Sequence, residues 1–158
     1  MEGVRVRPAR ERDLPAILDL FAELNEAQSS WRVFAPRAGI GREMEGRYRS
    51  ALANPDAVLV VASEGADVVG MALGQLHRPS SFSDEWAVEL SSAIVEASHR
   101  NRGIGRALAS EIGRFARERG VGRVTLKTFA QNEEALAFWS KLGFEPRIYQ
   151  MTAPADRI

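Results

Sequence analysis

Apolar and polar positions divide the chain into segments of two distinct periods. Val4-Arg5-Val6-Arg7 alternates and stops at Pro8, which predicts a short strand. Leu14, Ile17, Leu18, Phe21 and Leu24 then recur at helical spacing on one face, behind a capping Asp13 and with Pro15 in the first turn. Residues 27–40, AQSSWRVFAPRAGI, show no period and read as a loop, although Trp31 and Phe34 are too apolar for a plain linker. Residues 41–53 read as a second helix. Ala57 to Ala62 is a short apolar strand, Glu64-Gly65-Ala66-Asp67 a hairpin turn, and Val68 to Leu76 a returning strand interrupted by Gly70 and Gly74. After the polar loop 78–84, Trp86 to Val95 reads as a long strand. Residues 105–119 read as a helix with Leu108, Ile112 and Phe115 inward and Gly120 as its stop. A strand over 123–130, a helix over 133–142 ended by Gly143, and a last strand over 147–152 complete the chain. The predicted order is β-α-α-β-β-β-α-β-α-β, with no repeat and no clear linker. It implies one α/β domain over residues 1–158, a mixed central sheet flanked by helices. Strand 86–95, helix 105–119 and strand 123–130 form a βαβ unit expected to be right-handed.

Composition narrows the classes. A length of 158 residues suits one domain, and 45% apolar with 27% charged residues is ordinary for a soluble protein. Formal net charge is zero, so bulk charge does not draw the molecule to nucleic acid or membranes, and a basic site must be local. The run Arg114, Arg117, Arg119, Arg123 has no interleaved aromatics and reads as a solvated face. The absence of cysteine excludes disulfides, thiolate zinc sites and a cysteine nucleophile. His77 and His99 lie far apart, which argues against a histidine-rich metal site, and no metal is expected. The start MEGVRVRPAR lacks a signal pattern, and no apolar run approaches the ~20 residues of a membrane helix. The expectation is a cytoplasmic protein without a membrane or nucleic-acid partner.

One junction carries chemistry. HRNRGIGRAL, residues 99–108, lies where an apolar strand gives way to a helical pattern. A helix start exposes unpaired N–H groups and the positive end of the dipole, a natural phosphate site. Gly103 and Gly105 let the backbone approach an anion and permit positive φ. Arg100, Arg102 and Arg106 add donors suited to phosphate oxygens. Neither a Walker loop nor a dinucleotide fingerprint fits, since Leu108 stands where the third glycine is required. A plain strand-to-helix turn with surface arginines is the alternative reading.

Arg100-Asn101-Arg102-Gly103-Ile104-Gly105 resembles the [QR]-x-x-G-x-[GA] signature of the GNAT superfamily of acyl-coenzyme A-dependent N-acetyltransferases. The segment from Asn132 to Phe144 resembles the same family's N-x-x-A-x-x-[FL]-Y-x-K-x-G-F block, and the element order is the family's order. The resemblance implies acetyl-CoA as cosubstrate. Its pyrophosphate is expected on the amides from Asn101 to Arg106, and its pantetheine along the main chain of Ile94, Val95 and Ala97, in a gap where two strands splay. The N–H of Val95 or a neighbour would polarise the acetyl carbonyl. Asn132 would hydrogen-bond the cofactor, and Ala135 and Phe138 would line its other side.

Amine acetylation needs an unprotonated nucleophile. For an ammonium of pKa ~10.4, that state costs roughly 4–5 kcal/mol at neutral pH. Glu89, eleven residues before Arg100, stands at an offset some family members use for the base. Simple alternation puts it on one face with Ser91, Ala93 and Val95. An exposed strand carboxylate is the plain alternative, Glu96 is a rival, and Glu43 or Glu45 would suit a cationic substrate. Trp139 departs from the family pattern, which has an acidic tyrosine there, and indole only donates. A thiol of pKa ~8.5 leaves without much help, so the expected result is a modest loss or a substitute donor such as Ser140 or water. Trp31, Phe34 and Trp86 are candidates for an acceptor pocket. The reading is an N-acetyltransferase acting on a primary amine of a small molecule or peptide. The alternatives are a non-catalytic acyl-CoA-binding sensor and a basic interaction domain. Dimers are frequent in the family, which is the sole basis for expecting a homodimer.

Overall fold

The computed structural model describes residues 3–31, 38–79 and 84–157. They form two compact units, Met1–Lys127 and Thr128–Ile158.

The first unit is a five-stranded sheet in the order β1-β2-β3-β4-β5. β1 (Val4–Pro8), β2 (Ala57–Glu64), β3 (Asp67–His77) and β4 (Ala87–Val95) run antiparallel in sequence, and β5 (Val124–Leu126) adds parallel to β4. Three helices accompany the sheet: α1 (Leu14–Gln28), α2 (Ile40–Ala53) and α3 (Ile104–Glu118). One core layer joins Leu14, Ile17 and Leu20 of α1 and Met44, Tyr48 and Ala51 of α2 to Leu59, Val61, Met71, Leu73 and Ile94 of the sheet. The opposite face takes Ile104, Leu108, Ile112 and Phe115, the buried side of α3. The two glycines that interrupt β3 lie where α3 comes closest. A Cβ on Gly74 would stand 3.0 Å from Ile112 Cγ2, and one on Gly70 would stand 3.0 Å from Ile94 O and 3.3 Å from Leu108 Cδ1. The hairpin at Gly65 turns through φ +61°, as its sequence predicts.

The entry to α1 is pinned by charge. Arg7 donates to Asp13 Oδ2 and Oδ1 at 2.7 and 2.9 Å, and the Arg10 N–H donates to Oδ2 at 2.8 Å. Asp13 is buried. The Arg7 guanidinium, aided by the Arg10 N–H and against the opposing effect of burial, holds the Asp13 carboxyl below its usual range. A lowered folded value contributes stability above the ordinary aspartate pKa of ~3.9, lost as pH falls through the folded value. Asp13→Asn is expected to cost about 2–3 kcal/mol in urea unfolding at pH 7, with the gap from wild type closing below about pH 4.

The second unit holds α4 (Glu133–Lys141), followed by Gly143 at φ +91° and a short 3-10 turn, Ala155–Arg157. Two expectations change. The strand foreseen over 123–130 is only Val124–Leu126, because its ladder with β4 ends there. The strand foreseen over 147–152 does not form. Its apolar residues Ile148, Tyr149 and Met151 are exposed, and among the described residues no ladder partner is present to make a strand of them. No helix among the described residues is long and apolar enough to cross a membrane.

Candidate active site

β4 carries Glu89 and leads into the glycine turn before α3. Leu73 pairs with Ser92 but Gly74 with Leu90, so Ser91 is an extra residue, a bulge. Beyond it the faces exchange. Glu89, opposite Gln75, shares the face of α1 and α2 with Ser92 and the core residue Ile94, whereas Ala93 and Val95 turn to the other face. Simple alternation, which groups Glu89 with Ala93 and Val95, is corrected by this one inserted residue. The β4–β5 ladder runs from Val88↔Val124 to Leu90↔Leu126 and stops just before the bulge. From Ser91 to Val95, β4 has β3 as its one strand partner among the described residues.

The direction of the amides follows. The Glu96 N–H donates to Val69 O at 3.0 Å, toward β3. Successive residues of a strand address opposite edges, so Ala93 and Val95 direct their N–H groups away from β3 and Ile94 directs its own toward it. Val95 therefore presents its N–H on the edge where the β5 ladder has ended.

The turn after β4 runs through a 3-10 segment, Ala97–His99, into α3. Asn101 at φ +60° and Gly103 at φ +82° reverse the chain, and Gly103 is the N-cap. The first helical bond runs from the Ala107 N–H to Gly103 O at 3.1 Å. The N–H groups of Ile104, Gly105 and Arg106 precede it and have no acceptor within the helix. The neighbouring charges are not all turned to that mouth. Arg102 donates to Glu64 Oε1 at 2.6 Å, and His99 Nε2 lies 3.1 Å from Glu64 Oε2 while Nδ1 lies 2.8 Å from Glu96. Arg102 first, and His99 second, hold the Glu64 carboxyl below its usual range. Arg100 Nε donates to Val95 O at 3.2 Å, and Arg106 is exposed.

Glu89 is mostly buried, its side chain 19% exposed, at the centre of a polar cluster. Its Oε2 lies 2.9 Å from His77 Nε2 and its Oε1 3.3 Å from Lys127 Nζ. Gln75, its cross-strand neighbour, accepts at Oε1 from Arg47 at 2.8 Å and from Ser91 Oγ at 3.3 Å. Tyr48 O–H and Ser92 Oγ lie 3.4 Å apart on the same face, and burial raises the phenol pKa. Trp86 is 44% exposed, with the Arg78 guanidinium 5.9 Å from its ring centre. Glu96 is occupied by His99, and Glu45 by Arg49 at 2.9 Å. Glu43 is exposed on α2. Phe34 and the side chain of Trp31 lie outside the described residues. Among the described residues no group of three or more His, Cys, Asp or Glu can hold a metal ion.

In the second unit, Asn132 Oδ1 caps α4 by accepting the Ala135 N–H at 3.0 Å. Trp139 meets Phe138 and Phe144 edge to face, with ring centres 4.7 and 5.4 Å apart. It is a packing residue of this helix and its C-terminal turn.

Other proteins share this fold and much of this sequence pattern. The family model described as acetyltransferase (GNAT) family matches residues 18–144. The chain belongs to the GNAT family. Among curated relatives of this GNAT chain, the N-alpha-acetyltransferase RimI of Mycobacterium tuberculosis is 30% identical over 145 residues, 91% of this chain and 80% of its own length. Human N-acetyltransferase 8 is 30% identical over 103 residues, 65% of this chain. The chain spans 45% of that human protein and 28% of a mycothiol acetyltransferase from Catenulispora acidiphila. Among solved structures, a mutant of the BH1408 protein from Bacillus halodurans superposes with TM-score 0.86 at 21% identity, over 95% of this chain and 98% of that one. A Trypanosoma brucei acetyltransferase superposes with TM-score 0.69 at 25% identity, over 96% and 99%.

Several residues around the candidate site of this GNAT chain left no mark in sequence. Glu64 read only as a hairpin-turn residue, yet it tethers a turn 38 residues away. Arg47 and Gln75 join the site only through the packing of α2 and the register of β3. His77 stood out in sequence only as one of two distant histidines. It is 54% exposed, but its placement at Ala87, two pairs along from Gln75↔Glu89, sets its ring against Glu89. That pairing was legible in principle, since a β3–β4 hairpin with known register names it.

Proposed function

We propose that this chain is an acetyl-CoA-dependent N-acetyltransferase acting on a primary amine of a small molecule or peptide, with Glu89 as general base. The observation that carries the reading is the end of the β4–β5 ladder at Leu90↔Leu126, next to helix-start amides that no helical bond uses. That opening fits a long, flexible thioester bearing a diphosphate. The amides from Asn101 to Arg106, with Arg100 and Arg106, hold the anion, and Val95 lends its outward N–H to the acetyl carbonyl. Ala97, Asn132, Ala135 and Phe138 complete the cofactor contacts that the family resemblance implies. Acetyl-CoA, when bound, supplies the thioester whose C–S bond breaks as the new N–C bond forms.

Glu89 takes the proton that the amine nitrogen gives up, and the leaving thiolate is protonated from solvent. His77 and Lys127 keep the Glu89 carboxylate oriented at the bulge. Trp139, packed between two phenyl rings, gives the helix its shape and is not asked to act as an acid. That packing also suits the second reading, a sensor that binds acyl-CoA without turnover.

Calorimetry with acetyl-CoA tests the shared part. Binding with a dissociation constant below about 1 mM at modest salt is expected, and its absence overturns both readings. Thiol release with a panel of amines separates them: an acceptor-dependent release supports the enzyme, and binding without release supports the sensor.

A further inference from the structure

Several cationic side chains stand around Glu89. Arg47 reaches over from α2, Arg78 lies against Trp86, and Lys127, 91% exposed, extends from the end of β5. Of the nearby carboxylates, Glu85 pairs with Arg123 and Glu45 with Arg49, while Glu43 stands one turn before Arg47 on α2. The contrast between two neighbouring arginines of α2 is informative. Arg49 is neutralised by both Glu11 at 2.8 Å and Glu45 at 2.9 Å. Arg47 is exposed, and its recorded partner is the uncharged Gln75 carbonyl, itself steadied by Ser91. A guanidinium has five N–H donors in a fork that matches two oxygens of one anion. Gln75 engages one end of that fork and orients the rest beside the face on which Glu89 sits.

We propose that the acceptor is an amine carrying an anionic group, a carboxylate or a phosphate, which Arg47 grips while Glu89 receives the amine's proton. The inference rests on the reading of Glu89 as base and adds the chemical class of the substrate. The same charges disfavour polycations, because each further ammonium meets Arg47, Arg78 and Lys127. The acceptor's own ammonium is matched by the Glu89 carboxylate, so one cation and one anion on the acceptor answer one anion and one cation on the protein.

The test compares matched pairs at fixed acetyl-CoA: glucosamine 6-phosphate against glucosamine, and L-phenylalanine against its amide. In the wild type, kcat/KM for the anionic member of at least one pair exceeds that of its neutral twin by about tenfold or more, a charge-assisted contact in partial solvent exposure. Arg47→Gln brings that ratio toward one, and Arg49→Gln leaves it in place. Comparing ratios between variants cancels the intrinsic reactivity of each amine. A preference confined to the sugar pair assigns the subsite to phosphate, and one confined to the amino-acid pair assigns it to carboxylate. A ratio near one in the wild type, or one unmoved by Arg47→Gln, overturns the proposal. Calorimetry on the same pairs separates it from the reading beneath it. Anion-selective binding that disappears in Arg47→Gln, with no turnover of any amine, sinks the base and keeps the subsite. Turnover without anion selectivity keeps the base and sinks the subsite.

Discussion

On the reading of Glu89 as general base, replacing it with glutamine is expected to lower kcat/KM for amine acetylation by about 10²–10⁴ at neutral pH, the usual worth of such a base. The substitution keeps the size of the side chain and its hydrogen bonding to His77, so the fold and the affinity for acetyl-CoA stay close to those of the wild type. The loss is in proton transfer. Without a base the enzyme must wait for amine that has already lost its proton in solution, a minor species below a pKa of ~10.4. The deficit therefore narrows as pH rises. Thiol release followed across pH measures both effects. A loss of less than about threefold, with acetyl-CoA affinity intact, removes Glu89 from the role.

Tyr48→Ala is expected to cost about 3–5 kcal/mol of stability, the range for emptying a buried aromatic site. Tyr48 is fully buried between α1, α2 and β4, with Phe21 edge-on at 6.4 Å between ring centres. Tyr48→Phe keeps the ring and drops only the long contact to Ser92, so it costs about 1 kcal/mol or less. Urea unfolding of both variants reads the two numbers. The ring is also the prop beneath the bulge, because Ser92 follows Ser91 directly. A large loss in Tyr48→Phe would mean that the hydroxyl, not the ring, secures that region.

The fold was legible where one element decides its own shape. The helical face of Leu14, Ile17, Leu18, Phe21 and Leu24, to which the structure adds the buried Leu20, the Gly65 turn and the apolar stripe of α3 each follow from local period and chemistry. The turn at Gly103 was legible for the same reason, since positive φ leaves a mark in residue type, but the second left-handed residue is Asn101 and not Gly105. What sequence misjudged depends on two elements at once. The bulge at Ser91 has no composition of its own; its sign is Gly74, read as an interruption, where α3 leaves no room for a Cβ. The face of Glu89 depends on that single inserted residue. Residues 147–152 are rich in strand-forming side chains, but composition cannot create the neighbour that a ladder needs. The cationic setting of Glu89 was illegible for a related reason: Arg47, His77 and Lys127 come from three separate stretches of the chain and meet only in the folded sheet.

Glu64 gives the anion mouth a remote owner. It sits at the tip of the β2–β3 hairpin and holds two members of the β4–α3 turn, His99 and Arg102, at once. On the proposed reading, cofactor grip is thus open to tuning from a distance: a lengthened or shortened hairpin tip would slacken or reset the turn while Gly103 and Gly105 stayed unchanged.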